Sequence, residues 1–151
     1  MKAVVVEQYD SIDRIPLKEI ALPDVAAGQV RVKIQAASIG FVDGLKVQGL
    51  YQTKDTLPFT PGTEFAGVVD AVGSGVAGFA AGQAVMGMTR SGALAEFIVV
   101  PSTALTAIPD GVAPEVLDQV FLECEASRPV AGRKRTIFAI VLSAILMIGL
   151  P

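Results

Sequence analysis

A compact, mainly β domain with short helices, followed by one or two C-terminal helices, is the architecture that three observations on this chain predict. β-Branched runs recur between Gly, Pro and Asp from Met1 to about Ala113, which is the texture of short strands joined by tight turns. Eleven of the fifteen glycines lie between Gly40 and Gly92, where the turns of a small barrel need positive φ angles and close backbone approach. At Pro114 the character changes to an amphipathic stripe and then to an uncharged stretch, as expected of helices rather than strands.

The elements follow in order. Lys2 to Val6 is a β-branched run. Gln29 to Ala36 alternates, with Val30, Val32, Ile34 and Ala36 on one face and Arg31, Lys33 and Gln35 on the other, so one face is wet. Glu64 to Val72 and Gln83 to Met88 are mostly apolar and read as strands covered on both faces; Ala93 to Val100 completes a set of central strands before Pro101. Between them, Asp43 to Tyr51 places Leu45, Val47 and Leu50 near helical spacing, with Asp43 as the expected N-cap.

Composition excludes several function classes. Twelve basic against fifteen acidic side chains leave a net charge of −3, which argues against binding nucleic acid through its phosphates. Apolar residues make up 52% and charged ones 18%, so the chain can bury a real core. Cys124 is the only cysteine and there is no histidine. Intramolecular disulfides, an ordinary zinc site and any Ser/His or Cys/His catalytic pair are thereby ruled out. Met1 to Asp10 lacks the pattern of a secretory signal, which predicts a cytoplasmic location.

Gly73-Ser74-Gly75-Val76-Ala77-Gly78 is a literal G-x-G-x-x-G after an expected strand. A dinucleotide fingerprint must open a helix. Here Phe79-Ala80-Ala81-Gly82 leads directly into the strand-like run from Gln83, with no length for a crossover helix. The string therefore reads as a glycine-rich β-turn, and the position of Glu96 about twenty residues on as coincidence.

Four strings carry a resemblance: MKAVVVEQY at the start, AASIGFVDGLKVQGLY, LPFTPGTEFAGVVDAVGSGVAGFAAGQAVMG, and GALAEFIVVPSTALTAIPDGV. In this order they resemble the N-terminal GroES-like domain of the medium-chain dehydrogenase/reductase superfamily, and within it the zinc-independent quinone oxidoreductase branch. The resemblance covers about Met1 to Pro114. It implies a GroES-like, partly open β-barrel over residues 1–114, with residues 115–151 a divergent tail. It also implies an oxidoreductase that passes hydride from NADPH to a quinone or α,β-unsaturated carbonyl. The zinc-dependent alcohol dehydrogenases carry a cysteine in the segment matching Ile39 to Asp43 and a histidine where this chain has Thr63. Neither ligand is present, so the zinc-free branch fits.

The resemblance places a pocket for substrate or nicotinamide at Gly40, Phe41, Asp43 and Thr63. The family's usual Asn-Pro-Val-Asp is here Gly40-Phe41-Val42-Asp43, so an amide donor is lost. Phe41 is either an apolar wall for a flat substrate or a plain core residue. Asp43 is either a helix cap or a chemical group. Tyr51 ends the family's Gly-x-Tyr segment and is the candidate catalytic residue, able to donate a hydrogen bond to a developing enolate oxygen, with a structural tyrosine as the alternative. Glu64, a carboxylate among apolar residues, must find hydrogen bonds or a cation, and reads as support for the cleft floor.

Beyond Pro114, Val116, Leu117, Val120, Phe121 and Cys124 form a stripe, Arg133 to Arg135 a basic triplet, and Thr136 to Leu150 an uncharged run. Fifteen helical residues span only about 22 Å against a hydrocarbon core of about 30 Å. The family's nucleotide-binding domain, which holds the cofactor's pyrophosphate, does not follow, and truncation or a frameshift near residue 115 is the expectation. NADPH binding is therefore expected to lie mainly in the missing domain. The contrasting expectation is a non-catalytic β-rich module, associating through an exposed face or anchored by its tail. Homodimerisation is left open.

Overall fold

The computed structural model describes residues 1–109; the expected helix from Pro114, the basic triplet and the apolar run lie outside the described residues. Seven strands, one α-helix and two 3-10 turns follow one another: β1 (Lys2–Val4), β2 (Leu17–Glu19), β3 (Gln29–Ala37), α1 (Phe41–Val47), β4 (Glu64–Val72), β5 (Ala84–Met88), β6 (Phe97–Pro101) and β7 (Leu105–Ala107), with the 3-10 turns at Ile12–Arg14 and Ser102–Ala104. β1 and β2 form one antiparallel pair, and the other five strands form a sheet in the order β6-β3-β4-β5-β7. All pairings in that sheet are antiparallel. The strands form these two sheets without closing into a continuous barrel, and the mainly β, partly open architecture is the one the motifs imply.

β3 and β4 carry the core. Val30 and Val32 are fully buried while Lys33 and Gln35 are exposed, as the alternation requires. Shifts of register between Arg31 and Val32 and between Ile34 and Ala36 bend β3 against β4. On the wet face Arg31 Nε donates to Asp70 Oδ2 across the strands at 2.6 Å. Phe65, Val69, Val85, Ile98 and Leu105 complete one apolar cluster with Val30 and Val32. Burying Phe65 alone contributes about 2–3 kcal/mol. Gly67 is the point of closest approach: a Cβ there would stand 2.1 Å from the Lys33 carbonyl oxygen, so only glycine lets β3 and β4 pack at this register.

Several expectations are corrected. β1 stops at Val4, because Val6 pairs with Phe59 instead, in an isolated bridge. β6 begins at Phe97 rather than Ala93 and is an edge strand, not a central one. The amides of Ala93 and Leu94 donate to Gly62 and Pro61, so this stretch joins the loop before β4 instead of extending the ladder. β5 alternates buried and less buried residues rather than being covered on both faces. β2 and β7, three residues each, carry too little pattern to be read in advance. Gly73 to Gly78 turns from β4 towards β5 without opening a helix, as its context predicts.

Candidate active site

One carboxylate joins the start of α1 to the loop that enters β4. Asp43 is 2% exposed. Its Oδ2 accepts from the Gly40 N–H at 2.9 Å and its Oδ1 from the Gly62 N–H at 2.9 Å. Its own N–H donates to the Gly40 carbonyl at 3.1 Å. Asp43 is therefore the third residue of the helix and not its N-cap; the extended Gly40 takes that place. Hydrogen bonds to a charged acceptor contribute about 1.5–3 kcal/mol each, and a negative charge in the first turn faces the positive end of the helix. The consequence is positional: Gly40 and the residue beside Thr63 are held on the two oxygens of one side chain.

A second buried carboxylate supports the same end of the sheet. Glu64 Oε2 accepts from Ser38 Oγ at 2.8 Å, both residues being buried. The expectation that Glu64 needs a hydrogen-bonded partner is met by Ser38, a residue that sequence pattern did not single out. Thr63 is half-buried, and its carbonyl accepts from the Thr89 N–H at 2.7 Å.

α1 ends two residues before Gly49, at Val47, four residues short of the expected limit. The Gly49 N–H donates to the Lys46 carbonyl and the Leu50 N–H to the Leu45 carbonyl, the paired bonds of a Schellman end. Gly49 has φ +68°, and a Cβ on it would lie 2.8 Å from Cγ of Tyr9. The chain then delivers Tyr51, half-buried, with its N–H bonded to Leu45 at 3.2 Å. The Tyr51 hydroxyl has no hydrogen bond to another described residue. Phe41, at the first position of α1, is 83% exposed. The core reading of Phe41 is thereby overturned. Ile39 and Leu50 are exposed as well.

Sequence reasoning missed a buried ionic cluster behind this surface. Lys46 Nζ lies 3.2 Å from Asp55 Oδ2 and also donates to the Arg90 carbonyl; Arg90 Nε is 2.9 Å from Asp55 Oδ1. The contact of Lys46 with Asp55 Oδ2 is close enough for an ion pair, but that oxygen accepts no well-aligned hydrogen bond, so attraction rather than directional bonding joins them. These residues sit in loops and on a short helix, where no period advertises them.

The structure thus joins Gly40 and Asp43 to Gly62, the residue before Thr63. It places Phe41 at the exposed helix start and Tyr51 beyond the helix end, with no hydrogen bond from the side chain of either to Gly40, Asp43 or Thr63 among the described residues. A recess of about 320 Å³ is lined by Val5, Glu7, Asp10 and Arg14 among others, and one of about 200 Å³ by Val5, Ile20, Pro58, Phe59 and Thr60. None of the five candidate residues lines either recess. Among the described residues no group of three or more His, Cys, Asp or Glu is placed to hold a metal ion.

The model of the alcohol dehydrogenase GroES-like domain matches residues 26–110. The chain belongs to this family. The GroES-like chain is 37% identical over 114 residues to the human synaptic vesicle membrane protein VAT-1 homolog, covering 74% of this chain and 29% of that protein. It is 43% identical over 90 residues to a quinone oxidoreductase-like protein 2 homolog of Nematostella vectensis, covering 59% and 25%. The crystal structure of Escherichia coli quinone oxidoreductase complexed with NADPH superposes with a TM-score of 0.72 at 27% identity, covering 76% of this chain and 35% of that one. The chain spans between a quarter and a third of the length of these curated relatives.

Proposed function

We propose that this GroES-like domain forms the substrate-side wall of an oxidoreductase that reduces a quinone or an α,β-unsaturated carbonyl with NADPH. The observation that carries the reading is the Asp43 clamp: it fixes Gly40 beside the loop of Thr63 and leaves the Phe41 ring 83% exposed at the helix start. An exposed aromatic face suits a flat, conjugated substrate. Tyr51 supplies the hydrogen-bond donor for its carbonyl oxygen, which strengthens as negative charge develops there. The named relatives of quinone oxidoreductase type support the same substrate class.

The described residues do not fit the cofactor's pyrophosphate. Gly73 to Gly78 is a turn between strands and not the opening of a helix, so it lacks the aligned helix N-terminus that such a site uses. NADPH is accordingly assigned to a nucleotide-binding unit outside residues 1–109. Thr63 in place of a histidine, in a chain with none, supports zinc-independent chemistry. The proposed unit is residues 1–114, and its proposed setting is cytoplasmic. Among the described residues no helix is long and apolar enough to cross a membrane.

The chain has two tyrosines, Tyr9 and Tyr51, and no tryptophan, so fluorine-labelled tyrosine reports the site with two resonances. Duroquinone is expected to displace the Tyr51 resonance and leave that of Tyr9 in place; Tyr51→Phe is expected to keep thermal stability within about 0.5 kcal/mol and to weaken duroquinone binding measured by calorimetry. A wild-type Tyr51 signal indifferent to saturating duroquinone overturns the reading.

A further inference from the structure

We infer that Lys46, Asp55 and Arg90 form a clasp whose work is to position Tyr51, and that they are positioning residues for the substrate wall rather than contributors to stability. The inference rests on the functional reading of Tyr51 above. Tyr51 stands five residues after Lys46 and four before Asp55, so the pair closes a loop with the candidate donor near its middle. The Lys46 and Asp55 side chains are 4% and 7% exposed. Arg90, 62% exposed, reaches the loop from between β5 and β6 and also donates through Nη2 to the Lys54 carbonyl at 3.1 Å. The Tyr9 hydroxyl donates to the Asp55 carbonyl at 2.9 Å from the other side.

The arrangement closes on itself. Asp55 holds Lys46 with one oxygen and Arg90 with the other, while Lys46 Nζ donates to the Arg90 carbonyl. The residue before Arg90 is Thr89, whose N–H bonds the Thr63 carbonyl. One strut, residues 89–90, therefore fixes both the Tyr51 loop and the Thr63 loop. Burying two opposite charges gains little net stability, because desolvation offsets their attraction, and apolar residues of similar volume are often as stable. What the polar groups add over apolar packing is direction, through the bonds of Arg90 Nε to Asp55 Oδ1 and of Lys46 Nζ to the Arg90 carbonyl.

The test compares full chains labelled with 3-fluorotyrosine, the resonances being assigned with Tyr9→Phe and Tyr51→Phe. The double variant Lys46→Met with Asp55→Leu is expected to melt close to the wild type, to shift or broaden the Tyr51 resonance without ligand, and to weaken the duroquinone response about tenfold. Arg90→Gln is expected to act in the same direction; it alters a largely exposed side chain and carries the test if the double variant fails to fold. Arg31→Gln, on the far strand face, leaves the Tyr51 resonance in place. A ligand-free Tyr51 resonance unchanged in both clasp variants overturns the clasp. A wild-type signal blind to duroquinone overturns instead the functional reading, and the ligand-free comparison still decides the clasp.

Discussion

Phe65 and Asp43 are equally hidden from water, each at 2% exposure, yet they are held by different means. Phe65 lies among Val30, Val32, Val69 and Val85 in the sheet interior, with no ionic group in that cluster. Asp43 lies at the α1 end, where Ser38, Lys46, Asp55 and Glu64 are also buried or nearly so. Dispersion and water exclusion have no preferred direction and are shared over many contacts. Hydrogen bonds are directional and a buried polar group that loses its partner is costly, so they hold loops that have little apolar surface to bury. The sheet supplies stability and the polar end supplies placement.

Substitutions that strike each region test this division. Gly67→Ala is expected to have the largest effect, about 4 kcal/mol or more, since its methyl carbon would collide with the Lys33 backbone and must push β3 from β4. Thermal unfolding followed by circular dichroism measures it; a melting temperature near that of the wild type would show that the sheet yields more than its packing implies. Asp43→Ala strands the Gly40 and Gly62 amides and is expected to cost about 2–4 kcal/mol, with faster hydrogen exchange at Gly40 and Gly62 than at the amides of β4. Uniform exchange would mean that the two regions unfold as one. Gly49→Ala combines a positive φ with the Tyr9 contact and is expected to cost about 1–3 kcal/mol by chemical denaturation.

The smallest effect is expected at Asp13, an exposed carboxylate that serves as the counter-example. The Ser11 hydroxyl donates to it and, with the Asp13 backbone N–H, holds its carboxyl below the ordinary value of 3.8. A lowered value in the fold means that the ionised form is favoured there. The contribution is present above the ordinary value and lost as pH falls through the lowered one. Ser11→Ala should therefore move the Asp13 titration upward by NMR while leaving the acid unfolding midpoint in place. A shifted midpoint would show that this exposed carboxylate contributes to the stability of the fold.

Legibility in the sequence follows the same boundary. β3 and β4 were readable because their patterns are long: Val30, Val32 and Ile34 alternate with Arg31, Lys33 and Gln35, and Glu64 to Val72 is nearly continuous apolar sequence. β6 was readable as a strand but not as an edge, since edge position depends on which strand lies beyond it. Asp43 was recognised as a helix-start residue, but the glycine before α1 took the cap and turned the carboxylate toward Gly62, a contact across nineteen residues. Lys46, Asp55 and Arg90 meet from separate segments at no repeat that a pattern could report. The family motifs drew attention to Gly40, Phe41, Asp43, Tyr51 and Thr63 without saying which side chains hold the others.

β1 is moored to the far end of the described chain. The Val4 N–H donates to the Leu94 carbonyl, the Glu96 N–H to the Lys2 carbonyl, and the Lys2 N–H to Glu96 Oε2 at 2.7 Å. β1 pairs with β2 from nearby in the sequence, whereas this second set of bonds joins residues as much as 94 positions apart. Contacts so distant in sequence are slow to form, so the berth of Lys2 and Val4 against Leu94 and Glu96 closes after the β1–β2 pair has zipped.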